Sequence, residues 1–225
     1  MERISVVIAA YNEARMIGKV VSGLKREGYE SVIVVDDCSK DATAQRARAA
    51  GALVLRHPIN RGQGAALKTG MDYALANGAS HIVHFDADGQ HRPEEIASLI
   101  RALNEGHDIA IGSRFLGKEA KNLPRLRKIA LQGSVRILRF FYGLPVTDAH
   151  NGLRAMTASA ATRINITQDR MAHASEIIEI IAREGLLWKE VPVHIDYTNY
   201  SLRKGASNLR GWLRILARML FKKLL

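Results

Sequence analysis

Short apolar runs and amphipathic stretches alternate along the first half of the chain. Residues 4–9, Ile-Ser-Val-Val-Ile-Ala, form a run rich in β-branched side chains, the pattern of a strand buried on both faces of a parallel sheet. Asn12 is placed to cap a following helix, in which Met16, Ile17, Val20, Val21 and Leu24 recur at helical spacing and Gly28 supplies the stop. Residues 31–35 read as a second strand, 41–50 as a short helix and 52–55 as a third strand. A helix over 65–76, a strand over 81–85, a helix over 93–104 with Pro93 in its first turn, and a short strand over 109–111 complete this half. Strands alternating with helices predict an open, mostly parallel α/β sheet with right-handed crossovers. Ligands in such sheets lie at the carboxyl ends of strands, so the residues just after each strand are where chemistry is expected.

The second half is less regular. A long basic helix is predicted over 123–142, a strand over 152–156, a helix over 173–184 and an alternating strand over 188–196. A polar, basic loop follows over 197–207, and 208–225 reads as a terminal helix. No internal repeat or linker-like change of composition divides residues 1–207, which read as a single domain.

Length and composition agree: 225 residues, 47% of them hydrophobic, suffice for a substantial core. Cys38 is the single cysteine. That excludes an internal disulfide framework and a Cys-rich zinc module, and a reducing, cytoplasmic setting is the expectation. The N-terminus lacks a signal-peptide pattern, and no run approaches the roughly 18–20 apolar residues that span a bilayer. Peripheral binding stays open.

Charge changes the picture. The net charge is +11, and it is uneven. Residues 1–110 carry 13 Lys+Arg against 14 Asp+Glu, whereas residues 111–225 carry 20 against 8. All the excess lies in the second half, which points to an anionic partner there: nucleic acid, an anionic membrane surface or a phosphorylated substrate.

The strand ends of the first half are acidic instead: Ala10-Tyr11-Asn12-Glu13, Asp36-Asp37-Cys38-Ser39 and Asp86-Ala87-Asp88-Gly89-Gln90. Clustered carboxylates repel unless a cation or a donor-rich ligand offsets the cost. Asp86 and Asp88, with the amide of Gln90, supply hard oxygen ligands suited to Mg²⁺ or Mn²⁺ held jointly with substrate phosphates. The competing reading is a turn before the helix at Pro93. Asp37 can accept from a nucleobase or ribose, or cap a helix, with Ser39 or Asp41 the better cap. The run Asn60-Arg61-Gly62-Gln63-Gly64 precedes a helix; its glycines permit close backbone approach, and Arg61 favours an anion. Cys38 reads as a packed small residue.

Seven segments in order resemble the family 2 glycosyltransferases of the GT-A fold, nearest the dolichol-phosphate mannose synthase-like branch. They begin Val6-Val-Ile-Ala-Ala-Tyr-Asn-Glu13, Val35-Asp-Asp-Cys-Ser-Lys-Asp-Ala-Thr43, Asn60-Arg-Gly-Gln-Gly-Ala65 and Phe85-Asp-Ala-Asp-Gly-Gln-His91. Gly112-Ser-Arg-Phe115, Asp148-Ala-His-Asn-Gly-Leu-Arg154 and Glu190-Val-Pro-Val193 follow. Ala10 stands where many members carry proline, and Asn151 and Leu153 replace the usual serine and phenylalanine.

The resemblance implies a GT-A-type nucleotide-sugar-binding fold, with a donor half over 1–112 and an acceptor half over 113–207. It implies donor binding by Ala10, Tyr11, Glu13, Asp37, Arg61, Gly64, Asp86, Arg203 and Lys204. Asp86, Asp88 and Gln90 would hold Mg²⁺ or Mn²⁺. Asp88, Arg114 and Glu176 form the implied catalytic set, Arg114 and Arg154 on the acceptor or phosphate side and Glu176 beside the acceptor. The reaction implied is hexose transfer, with inversion, from a nucleoside diphosphate sugar of GDP-mannose or UDP-glucose type. A sugar hydroxyl acceptor needs a carboxylate base, for which Glu176 or Asp148 are available, whereas a polyprenyl phosphate is already anionic and needs cations. Arg114, Lys118, Lys121, Arg125, Arg127 and Lys128 favour the lipid phosphate.

In the terminal helix Arg210, Arg214, Arg218 and Lys222 form a basic stripe opposite Leu209, Trp212, Leu213, Leu216, Leu220 and Leu224. That pattern fits an interfacial membrane anchor, a helix packed on the domain, or a dock for an integral-membrane partner. The expected location is therefore the cytoplasmic face of a membrane. Nucleic acid is not expected as a partner: only 6% of residues are aromatic, and the acidic strand ends repel phosphate.

Overall fold

The computed structural model of the chain describes residues 2–117, 125–197 and 200. Its strands are β1 (Ile4–Ala10), β2 (Ser31–Asp36), β3 (Leu53–Arg56), β4 (His81–His84), β5 (Ile109–Ser113), β6 (Arg154–Thr157) and β7 (Trp188–Pro192). They form one sheet in the order β3-β2-β1-β4-β6-β5-β7. Helices α1 (Ile17–Arg26), α2 (Thr43–Ala49), α3 (Gln63–Ala76), α4 (Ile96–Asn104), α5 (Arg125–Tyr142), α6 (Ala158–Arg163) and α7 (His173–Glu184) flank it, and a 3₁₀ turn over Pro93–Glu95 leads into α4.

The apolar runs are continuous because both sheet faces are covered. Val6 and Ile8 of β1 pack in one core with α1 and α4, through Ile17, Leu24, Ile96 and Leu99. Val7, between them, points the other way and packs with Leu67 and Met71 of α3, in a core that also takes in Leu138, Ile177 and Ile181. A Cβ at Gly70 would lie 2.3 Å from Val7 Cγ1, so α3 rides closer to the sheet than any other residue there would permit.

Four pairings are parallel, but β6 runs antiparallel to both its neighbours, β4 and β5. A run of four residues does not encode direction, and β6 returns into the sheet between two strands laid down earlier. It starts at Arg154, so Gly152 and Leu153 belong to the loop before it. Strand β7 ends at Pro192, which lacks an N–H to extend the ladder, although Val193 and Ile195 remain buried. Helix α6 lies in a stretch where the sequence shows no clear period.

Asn12 is not a helix cap. It takes φ 53, a left-handed conformation that asparagine tolerates, and α1 starts after Met16. Its Oδ1 accepts from Lys40 N at 2.9 Å, while its own N–H donates to Ser39 Oγ at 2.9 Å, tying the end of β1 to the end of β2. Asp41 does serve α2, accepting from Thr43 N at 3.0 Å. Residues 201–225, and with them Arg203, Lys204 and the terminal basic helix, lie outside the described residues, as do Lys118 and Lys121. Among the described residues, no helix is long and apolar enough to cross a membrane.

Candidate active site

The ends of β1, β2 and β4 bring Glu13, Asp37, Asp86 and Asp88 to the carboxyl edge of the sheet. Because β6 is reversed, residues 148–153 enter it at that same edge. Strand β5 runs parallel to β4 and delivers Arg114 there.

Ala10 is the last residue of β1, 2% exposed, and its carbonyl accepts from Asp37 N–H at 2.9 Å. It supports the turn behind Tyr11, which is 43% exposed. Glu13 is buried and accepts from Tyr200 Oη at 2.7 Å. The Tyr200 ring in turn lies 5.4 Å from the Arg15 guanidinium. Burial and the neighbouring Glu13 carboxylate raise the Tyr200 pKa, so the phenol stays a donor.

Asp37 holds a loop. Its Oδ1 accepts from Arg61 N at 2.9 Å and faces His57 Nδ1 at 2.8 Å, and its Oδ2 accepts from Gly62 N at 2.6 Å. The Asn60–Gly64 run was expected to present its backbone to an anion; two of its N–H groups are instead turned inward to Asp37. Its glycines do serve close approach, but by the chain itself. A Cβ at Gly64 would meet Gln168 O at 2.0 Å, and one at Gly62, where φ is 111, would meet Asp169 O at 2.5 Å. Arg61 reaches Asp169 at 3.2 Å, both side chains about half exposed.

Glu176 anchors the far side of that contact. Its carboxylate accepts from Thr167 N at 3.0 Å, from Gln168 N at 2.9 Å and from the Thr167 hydroxyl. The resemblance implies an acid beside the acceptor at this position; in the structure both oxygens accept hydrogen bonds from residues 167–168.

Asp86 and Asp88 sit on the turn after β4, where Gly89 takes φ 74. Gln90 donates to Asp88 from its backbone N at 3.1 Å and its side chain at 2.6 Å. Burial, then the nearby Asp86 carboxylate, pushes the Asp88 pKa up to about 6. Burial acts on Asp86 in the same sense, but the hydrogen bond and charge of His91, with Arg154 and His173 beyond it, outweigh that and hold its pKa down. Among the described residues no three His, Cys, Asp or Glu side chains converge on a point. Two carboxylates and one amide leave most positions of a divalent ion to oxygens from elsewhere. That is how Mg²⁺ and Mn²⁺ bind when substrate phosphates complete the shell. Hard oxygen donors from two carboxylates and an amide on one turn are the chemistry such an ion takes, so the residues present fit it.

Arg114 and Arg154 are both buried. Arg114 is 7% exposed. Its Nε lies 2.5 Å from Asp148 Oδ2, and its guanidinium also donates to the Tyr197 hydroxyl and, at 3.3 Å, to His150 O. Burial alone would lower the Arg114 pKa, but Asp148 and Tyr197 raise it. The guanidinium is therefore an internal partner of Asp148 in this structure. Arg154 is 1% exposed and donates to Ala149 O at 3.0 Å. Burial lowers its pKa to about 10 despite Asp86 and Asp148. It lies beneath the site among His84, His150 and His173, whose pKa values burial lowers to about 3, 4 and 4.

Three contributors escaped the sequence reading. Glu190 accepts from Thr147 N at 2.8 Å and Asp148 N at 2.9 Å, so it sets the turn that presents Asp148. His57 holds Asp37, and His91 holds Asp86 at 2.9 Å. Glu190 and His91 stood inside quoted motifs; His57 follows β3 and carried no signal.

The family model described as glycosyl transferase family 2 matches residues 5–164. An uncharacterised protein of Methanocaldococcus jannaschii is 41% identical, over 99% of this chain and 93% of its own. The UDP-N-acetylglucosamine–dolichyl-phosphate N-acetylglucosaminyltransferase of Methanococcus voltae is 34% identical over 98% and 96%. The undecaprenyl-phosphate mannosyltransferase of Micrococcus luteus is 31% identical over 93% and 88%. Among solved structures, glucosyl-3-phosphoglycerate synthase from Mycobacterium tuberculosis, in complex with Mn²⁺, UDP-glucose and phosphoglyceric acid, matches in fold. It aligns with TM-score 0.75 at 22% identity, over 96% of this chain and 78% of that one.

Proposed function

The chain belongs to glycosyl transferase family 2 and has the GT-A fold, and from that premise we propose that it transfers a hexose from a nucleoside diphosphate sugar to a polyprenyl or dolichyl phosphate. The donor is of GDP-mannose or UDP-glucose type, and the anomeric centre inverts. An oxygen of the lipid phosphate forms the new bond to the anomeric carbon, the bond from that carbon to the diphosphate breaks, and the nucleoside diphosphate leaves.

Asp86, Asp88 and Gln90 would hold Mg²⁺ or Mn²⁺. Such an ion neutralises charge developing on the diphosphate. The chain's own groups orient the donor. Tyr11 and Glu13 lie at the end of β1, with Tyr200 over Glu13. Asp37 and Arg61 shape the loop that borders the nucleotide side. Arg203 and Lys204 supply further phosphate contacts in this reading.

One observation carries the choice of acceptor. Activation of a sugar hydroxyl needs a carboxylate with a free lone pair near the acceptor. The two acids available for that task are taken: Asp148 is 1% exposed against Arg114, and Glu176 accepts hydrogen bonds from three donors. A phosphate acceptor is already ionised and needs neither. The names of the relatives from Methanococcus voltae and Micrococcus luteus, both lipid-phosphate enzymes, and the positive surplus of the second half support the same acceptor.

The test is transfer from radiolabelled nucleoside diphosphate hexoses to polyprenyl phosphate with Mn²⁺. Lipid-extractable product is expected and should vanish with chelator. Label that appears only on an added saccharide, or in no lipid product with any common donor, would overturn the reading.

We place the protein peripherally, at the cytoplasmic face of a membrane, through the basic stripe of residues 208–225. Co-sedimentation with anionic vesicles, lost on deleting 208–225, is the expected outcome. Sedimentation unchanged by the deletion would move the contact elsewhere.

A further inference from the structure

Two groups from opposite halves of the chain press on the Asp86 carboxylate. The first is His91. Its Nε2 lies 2.9 Å from Asp86 Oδ2, and its side chain is 2% exposed, against 29% for that of Asp86. The ring sits edge-on to Phe85, with centroids 5.6 Å apart. Its other nitrogen, Nδ1, is buried without a partner among the described residues. Burying an imidazole is unfavourable unless its hydrogen bonds are made, and among the described residues Asp86 receives the one bond this ring makes.

The second is Gly152. A Cβ there would lie 2.1 Å from Asp86 Oδ2 and 2.3 Å from Oδ1. Its φ is not among the positive values, so the backbone does not demand glycine at 152. The carboxylate does. The antiparallel register explains the meeting: His84 of β4 faces Arg154 of β6, and Asp86 stands two residues after His84 while Gly152 stands two residues before Arg154.

We propose that His91 and the Gly152 backbone are positioning residues that clamp the Asp86 carboxylate from two sides and thereby set the affinity of the site for its divalent ion. The clamp rests on reading Asp86 and Asp88 as metal ligands. It also couples the two halves, because the segment leading into β6 completes the surroundings of a donor-side carboxylate.

The experiment is Mn²⁺ binding by the full chain with GDP or UDP present, followed by the electron paramagnetic resonance signal of free Mn²⁺. Melting of the metal-free proteins is recorded in parallel. Removing a group that orients a ligating side chain typically weakens metal binding about 10- to 100-fold. That loss is expected for His91→Leu and Gly152→Ala. His91→Gln, whose amide N–H reaches where Nε2 lies, should stay within a few-fold of the unsubstituted protein. Unchanged Mn²⁺ affinity in His91→Leu and Gly152→Ala overturns the clamp. So does a loss shared equally by His91→Gln, or one matched by a fall in metal-free melting temperature, since either marks a purely structural role. If the unsubstituted protein binds no Mn²⁺, or Asp88→Ala binds it equally well, the metal reading fails first and takes the clamp with it.

Discussion

Asp88→Ala should lower kcat roughly 10²–10³-fold, the range seen when one group that stabilises transition-state charge is removed. The transfer assay with saturating donor and Mn²⁺ measures it; a kcat within tenfold of the unsubstituted value would refute the assignment. The same position makes a second, opposite prediction for stability. Burial and Asp86 raise the Asp88 pKa to about 6, above its value in an unfolded chain. Ionising Asp88 therefore works against the metal-free fold. The cost is absent below the unfolded pKa, grows as pH rises through that value towards 6, and is complete above it. Asp88→Asn should raise the melting temperature of the metal-free protein at pH 8, with the gain fading towards pH 4. Activity and stability move in opposite directions, as expected of a carboxylate kept for function at a cost to the metal-free fold.

Asp148→Ala should be the most damaging single change to the fold. It would leave the Arg114 guanidinium, 7% exposed, buried without its counter-ion. Breaking a buried pair from one side costs about 3–5 kcal/mol, a large share of the roughly 5–15 kcal/mol that holds a domain folded. Chemical denaturation measures the loss. The double variant Arg114→Met/Asp148→Leu should recover much of it, since replacing both members with apolar groups of similar volume is often neutral. That variant also separates two roles for Arg114. If it folds well and still transfers sugar, Arg114 is internal scaffolding; if it folds well and is inactive, the guanidinium also serves the reaction.

Most of the sheet was legible because its central strands are buried on both faces, so β1 and β2 appear as nearly continuous apolar runs and β4 as a short apolar pair between histidines. The acidic strand ends were legible for the same reason, since a charge directly after such a run stands out. Less visible was the direction of β6. Alternation reports which face a side chain takes, not which way a strand runs. The direction of β6 decides that residues 148–153 meet the DxD turn. Hydrogen-bond commitment was not legible either. Glu176, Arg114 and Asp37 are the residue types that bind ligands, and also the types that fill internal hydrogen-bond demands. Only coordinates show Glu176 turned to residues 167–168 and Arg114 turned to Asp148. Gly62 and Gly64 carried a true signal of close approach, but the approaching backbone is the chain's own.

The reversed strand has a bearing on how the protein is made. Strands β1 to β4 come from the first 84 residues and pair among themselves. The next strand to leave the ribosome, β5, does not pair with any of them; its neighbours are β6 and β7. Until residue 157 has emerged, β4 is an open edge of buried-type residues, and β5 waits without a partner. Such an edge is a template for pairing with another chain. The hazard lies at the strand that leads into Asp86, and it ends when Arg154–Thr157 docks. Closing the sheet against aggregation and bringing Gly152 against the Asp86 carboxylate are the same event in the life of the nascent chain.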